Sequence, residues 1–310
     1  MKSFATHTKN SLTRGNPPQL MKPCCVKSEL FGFLFASAGI SVEGRGKWRL
    51  TVRSEHPGVI RRLVLLLRSI PITPGIRIIQ ANRLGGQQCY EIRIESEDTG
   101  RLAEAIGFHP AKREIQKEYL QKKCCQKTLL RGLFFGCGTI MDPKNGYLLE
   151  WITHGKETAR SIWQFLLQCF SLRLGLVERK SNWVVYCKDS DGIMRILAEI
   201  GAHAAVLTIQ NMLIVKNARN QANRALNCDS GNIQKMVDAS KRQMDAIATI
   251  QKTIGFGNLS QPLRDVAIAR MENPGASLAD IGKALKPPVG KSGVSHRLRR
   301  LEEIAKSISK

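Results

Sequence analysis

The sequence predicts an α+β protein: a pseudo-two-fold domain of two repeated α/β units, followed by an all-α helix-turn-helix domain. Three observations predict it. The doublet Cys24-Cys25 recurs 100 residues later as Cys124-Cys125, and each opens an apolar segment rich in small residues. The same alternation of strand-like and helix-like patterns follows each segment. Residues 231–310 carry helical periodicity alone, closing on Val294, Leu298, Leu301 and Ile304 at spacings of four, three and three.

The 310 residues suffice for two or three domains, and 43% hydrophobic content predicts packed cores. The net charge of +23, from 48 basic and 25 acidic residues, points to a polyanionic partner. Nucleic acid comes first and an anionic membrane surface second. No apolar run reaches the roughly 18 residues of a membrane span. "LFGFLFASAG" (30–39) has some features of a secretion signal, but its apolar core is short and a related segment recurs mid-chain. Nine cysteines give no even framework, which fits reduced thiols.

Residues 1–20 form an N-terminal extension with a proline-rich end. Residues 21–210 hold the repeats, about 21–110 and 121–205. In each, the first segment, "CCVKSELFGFLFASAGI" (24–40) or "CCQKTLLRGLFFGCGTI" (124–140), reads as a helix buried on most sides and stopped at Gly39 or Gly138. Strands follow at 47–52 and 146–152, and helices at 56–70 and 156–170. Paired strands come next, 76–83 with 89–95 and 172–180 with 182–188. The closing helices span 99–108 and 192–203. Glycine and alanine let the two first helices approach closely at the pseudo-two-fold axis.

Residues 211–230 read as a basic, partly helical connector in which Lys216, Arg219 and Arg224 are candidate phosphate contacts. Then Ile233, Met236, Val237, Met244, Ile247 and Ile250 mark one helical face over 232–253. "GFGNLSQP" (255–262) breaks it. A helix over 263–275 stops at Asn273-Pro274-Gly275. Ser277 and Asp280 make a capping-box-like start for the next, over 277–286. After "PPVG", a last helix buries Val294, Leu298, Leu301 and Ile304. Two short helices joined by a turn and set on earlier helices are a helix-turn-helix.

Gly290-Lys291-Ser292 imitates the end of a phosphate-binding loop. That loop needs a glycine five positions earlier, where Leu285 stands, and a strand where a helix precedes. The tripeptide is read instead as the N-terminus of the recognition helix. At 100° per residue, Ser295, His296 and Arg299 face away from the Val294 stripe and are the expected base readers. Lys291, Ser292, Arg297 and Arg300 are the expected phosphate contacts. The cysteines are read as core residues at helix N-termini. No C-x-x-C pair exists and adjacent cysteines are an awkward chelate, so neither metal nor other cofactor is assigned.

The paired apolar helices and sheets resemble the LAGLIDADG homing-endonuclease fold. There each helix carries a carboxylate just before its final glycine, and the two acids hold the divalent metals. The matching positions here are Ala38 and Cys137, which are not hard oxygen ligands. Asp142 lies past the helix and has no counterpart in the first repeat. The whole chain resembles the WhiA family, bacterial regulators that join a degenerate LAGLIDADG-like domain to a C-terminal helix-turn-helix. The Cys-Cys doublets, "IGAHAAVLTIQN" (200–211), "NRALNC" (223–228) and "KSGVSHRLRRLEEIA" (291–305) carry the likeness. The resemblance implies a non-enzymatic, cytoplasmic, nucleoid-associated protein. It would bind double-stranded DNA and act in transcription, cell division, chromosome segregation and sporulation. The alternatives are a sigma-like subunit that binds RNA polymerase, and an active homing-type nuclease, against which the missing acids count.

Overall fold

A computed structural model describes residues 3–15, 17–44, 47–80, 88–109 and 111–308. The chain divides into two compact units, Met1–Val215 and Lys216–Lys310.

The first unit begins with α1 (Phe4–Arg14), capped by the Ser3 hydroxyl, which accepts from the Thr6 amide at 3.2 Å. Most described residues of the N-terminal extension thus lie in a helix. Leu12, Thr8 and Lys9 are buried. The first repeat runs α2 (Pro23–Ser37), β1 (Gly39–Gly44), β2 (Lys47–Ser54), α3 (Pro57–Arg68), β3 (Gly75–Gln80), β4 (Gln88–Ile94) and α4 (Ser96–Ile106). After the single-turn α5 (Glu118–Gln121), the second repeats it: α6 (Lys123–Cys137), β5 (Gly138–Ile140), β6 (Leu149–Thr153), α7 (Lys156–Phe170), β7 (Gly175–Arg179), β8 (Asn182–Cys187) and α8 (Ser190–Ile200). The sheets share one antiparallel topology, β1-β2-β4-β3 and β5-β6-β8-β7.

The first helices end close to their expected glycine stops, at Ser37 and Cys137, and an additional strand, β1 or β5, starts at each glycine. Gly138 is extended (φ −78°, ψ 143°) rather than left-handed. Glycine is needed there for space: a Cβ would lie 2.5 Å from a ring carbon of Phe134. The part of the expected 76–83 strand beyond Gln80 lies outside the described residues.

α2 and α6 pack face to face on small residues. A Cβ on Gly32 would come 2.6 Å from the Leu129 carbonyl oxygen, and one on Gly132 would strike the Glu29 carbonyl oxygen. Leu30, Phe33, Leu34, Leu129, Leu133 and Phe134 are essentially inaccessible, so "LFGFLFASAG" supplies the centre of the core. Beside this seam a carboxylate is buried. Glu29 pairs with Arg62 of α3 and Arg131 of α6, and the three side chains are 0, 1 and 8% exposed.

α9 (His203–Thr253) is a single helix of 51 residues that runs through the connector and the helix expected over 232–253. Within the second unit its expected apolar face is only partly used. Ile247 and Ile250 are buried, whereas Ile233, Met236 and Val237 are exposed. Gly255, at φ 71°, ends the helical run. A 3₁₀ turn, Phe256–Asn258, leads to α10 (Gln261–Glu272), α11 (Leu278–Ala284) and α12 (Lys291–Ile308). Val266, Ile281, Leu285, Val294, Leu298 and Leu301 close a small core with Ile247 and Ile250.

Candidate nucleic-acid interface

The helix-turn-helix is held by three local devices. Ser277 caps α11, accepting from the Asp280 amide at 3.3 Å while its hydroxyl meets the Asp280 carboxylate at 2.7 Å. Arg270, 2% exposed, donates to the carbonyls of Pro274 (3.3 Å) and Ala276 (2.8 Å), pinning the α10–α11 turn. Burial holds its guanidinium below the ordinary arginine range. Gly282 lets the following turn lie against α11. The Val289 amide donates to its carbonyl at 2.9 Å, and a Cβ would collide with the Val289 carbonyl oxygen.

α12 begins at Lys291, as the Gly-Lys-Ser reading expects. Its inner face is Val294, Leu298 and Leu301, each at most 1% exposed, whereas Ile304, expected with them, is only half-buried and Ala305 is buried instead. Ser295, His296 and Arg299 are exposed on its outer side, and Arg299 keeps 80% of its side chain in solvent. Lys291, Ser292 and Arg300 are exposed, while Arg297 is half-buried. Glu303 lies 3.7 Å from Arg299 and 3.0 Å from Arg300, so one carboxylate draws on both arginines. The first-turn amides of a helix lack intrahelical partners and can receive a phosphate oxygen. Lys216, Arg219 and Arg224 are exposed on α9. At 100° per residue they span roughly 140° of its circumference, a broad basic side rather than a narrow stripe.

The first unit offers a different surface. The open face of its first sheet carries arginines paired to carboxylates: Arg49 with Glu43 and Glu95, and Arg53 and Arg93 with the buried Glu91. On the second sheet Arg179 pairs with Glu150 at 2.7 Å. These cations are already partnered within the fold.

Where α2 and α6 end, a cleft of about 760 Å³ is lined by Ala38, Cys137, Arg53, Arg113, His154 and Glu157, among others. Glu157 is the one carboxylate among its described lining residues. Asp142 does not line it and instead accepts from the Lys144 amide at 2.9 Å in the turn after β5. Lys9 of α1 reaches the same end of α6. Its ammonium donates to the Phe135 carbonyl at 3.3 Å and lies 5.7 Å from the Phe134 ring centroid. Burial lowers its pKa to about 8, and burial also pushes the Cys137 thiol up to about 12. A lysine from outside the repeats thus meets the carbonyl end of the helix, where a cation is favoured.

Sequence reasoning missed Lys9, Arg270 and the Glu29 group, because nothing in local spacing announces a buried charge. It also kept the cysteine doublets apart. The structure brings the sulfurs of Cys24, Cys25, Cys124 and Cys125 within 4.8 Å of one another. The signal was their equivalence: identical positions at the starts of two helices paired about a pseudo-two-fold must meet.

Comparison with known proteins follows this anatomy. Residues 23–109 match the WhiA N-terminal LAGLIDADG-like domain, 126–219 the WhiA LAGLIDADG-like domain and 222–305 the WhiA C-terminal HTH domain. The chain is 36% identical to a probable cell division protein WhiA of Alkaliphilus metalliredigens, over 98% of this chain and 97% of that one. It is 37% identical to the protein of the same name from Heliobacterium modesticaldum, over 99% and 97%. Among solved structures it is similar to full-length WhiA from T. maritima, with a TM-score of 0.61 and 23% identity over 99% of both chains.

Proposed function

The chain belongs to the WhiA family, and on that premise we propose that it is a non-catalytic, sequence-specific DNA-binding regulator of transcription. The reading rests chiefly on α12. Its apolar face is spent on the core, and its opposite face offers Ser295, His296 and Arg299 to solvent behind a phosphate-receptive N-terminus. Arg299 suits a two-pronged contact to guanine. Lys291, Ser292, Arg297 and Arg300, with Lys216, Arg219 and Arg224, supply the sequence-independent contacts. The relatives' name, probable cell division protein, supports a role in cell division. The proposal extends that role, by family resemblance, to chromosome segregation and sporulation, with the protein acting on the nucleoid in the cytoplasm. Among the described residues no helix is long and apolar enough to cross a membrane.

Ala38 and Cys137 support the non-catalytic half of this proposal. Neither offers the hard oxygen that a water-activating magnesium or manganese ion requires. Selection of bound duplexes from a random pool, followed by incubation of the winners with stoichiometric protein and Mg²⁺ or Mn²⁺, tests both halves. A defined motif recovered intact is the expected result. A pool without enrichment would sink the regulator reading. Nicking that vanishes in Asp142→Asn would restore an enzyme.

A further inference from the structure

Cys24 and Cys25 occupy the second and third positions of α2, and Cys124 and Cys125 those of α6. Consecutive positions in a helix project about 100° apart, so adjacent thiols converge poorly from a helix interior. At a helix start the geometry differs. Cα–Cβ bonds tilt toward the N-terminus, so first-turn side chains lean beyond the end of the helix. Cys124 and Cys125 bring their sulfurs to 4.0 Å, and all four sulfurs lie within 4.8 Å of one another. Zinc–sulfur bonds of about 2.3 Å place tetrahedral ligand sulfurs about 3.8 Å apart. The four thiols therefore stand less than roughly 1 Å per edge from the dimensions of such a site.

We propose that Cys24, Cys25, Cys124 and Cys125 form a tetrathiolate site for a single zinc ion that staples the N-termini of α2 and α6. Four sulfurs this close suit one ion, because an iron–sulfur cluster spreads its ligands farther. Four thiolates are the ligand set of structural zinc. The complex would carry a net charge of −2. Two helix N-termini meet it with their positive dipole ends. Lys22 and Lys27 flank one doublet in sequence, and Lys122 and Lys123 precede the other. Cys25 and Cys125 are buried and Cys24 and Cys124 half-buried, so the ion would be nearly enclosed. Zinc uptake forms four Zn–S bonds, and protons held by the thiols pass to solvent. The site lies at the opposite ends of α2 and α6 from Ala38 and Cys137, about 20 Å along the helices. It is thus unrelated to the positions of the lost acids.

The test uses the full chain, purified with reductant and desalted. Elemental analysis should find one zinc per chain, released as a mercurial titrates the thiols. Replacement by Co²⁺ should give the strong visible bands of tetrahedral thiolate cobalt. Cys24→Ser/Cys124→Ser should lose the metal, while Cys228→Ser, at an exposed position on α9, should keep it. Should the double variant fail to fold by circular dichroism, the cobalt spectrum of the unmodified chain decides alone. Zinc that washes out, unchanged zinc in the double variant, a cobalt spectrum without thiolate character, or a disulfide-linked cluster that takes no metal after reduction would each overturn the proposal.

Discussion

Arg131 of the second repeat donates twice to one oxygen of Glu29 in the first, from Nε at 2.9 Å and from Nη2 at 2.5 Å. Arg62 holds the same carboxylate from the other side, with its Nη2 3.1 Å from Oε2. Glu29→Gln leaves two buried guanidinium groups without an anion. The expected loss is about 3–5 kcal/mol of unfolding free energy, read from urea melts. Adding Arg131→Met should recover part of it, since one uncompensated cation is then removed. An unchanged midpoint in Glu29→Gln would show that the arginines reach water.

Lys9 makes stability depend on pH with a definite sign. Its folded pKa of about 8 lies below the ordinary 10.5. Below pH 8 the ammonium is protonated in both states, and the cost of burying it is fully present. Between 8 and 10.5 the folded state sheds its proton first, so unfolding becomes harder. Relative to Lys9→Met, the unmodified chain should gain on the order of 2–3 kcal/mol as pH rises across that window. Referring each melt to Lys9→Met removes the opposing contribution of the buried thiols. A flat difference would show that the ammonium stays hydrated.

Arg299→Ala should cost roughly 1–3 kcal/mol on the selected site and relax preference at one base pair. Lys291→Ala should weaken all duplexes about equally. Fluorescence anisotropy on specific and scrambled duplexes separates the two. Equal losses on both duplexes for Arg299→Ala would move that residue to the phosphate contacts.

Glu303 draws on both Arg299 and Arg300 and would itself repel DNA. Glu303→Gln should therefore tighten binding several-fold at low salt, with the gain fading as salt rises. Weaker binding would mean that the carboxylate orients Arg299 for its base.

Salt dependence checks the electrostatic reading as a whole. The logarithm of the binding constant against that of salt concentration should fall with a slope of about −4 or steeper. A slope near zero would leave the +23 charge without a role in binding.

The repeat architecture was legible because it is written twice. Two copies of helix, strand, helix, paired strands and helix at a spacing near 100 residues make each weak local pattern credible. β1 and β5 were not. Both follow their helices without a turn, and β5 is only three residues long. The continuity of α9 escaped because its middle, with Asn217, Asn220, Asn223, Asn227 and Gly231, lacks the apolar periodicity that marks a packed helix. The outward face of α12 was readable from Val294, Leu298 and Leu301, since a buried stripe defines its own opposite. The cysteine cluster required tertiary placement, as did Lys9 and Arg270, whose partners are backbone carbonyls that no side-chain pattern encodes.

The Glu29–Arg131 pair also bears on biosynthesis. The position equivalent to Glu29 in the second repeat is Leu129, and the position equivalent to Arg131 in the first is Phe31. Two copies of the second repeat, joined through α6 as α2 and α6 are joined here, would seal in two arginines with no acid between them. Neighbouring chains emerging from one messenger RNA therefore gain little by swapping like halves. The single unsymmetrical acid thus favours the union of unlike repeats, a preference that the symmetrical backbone alone does not impose.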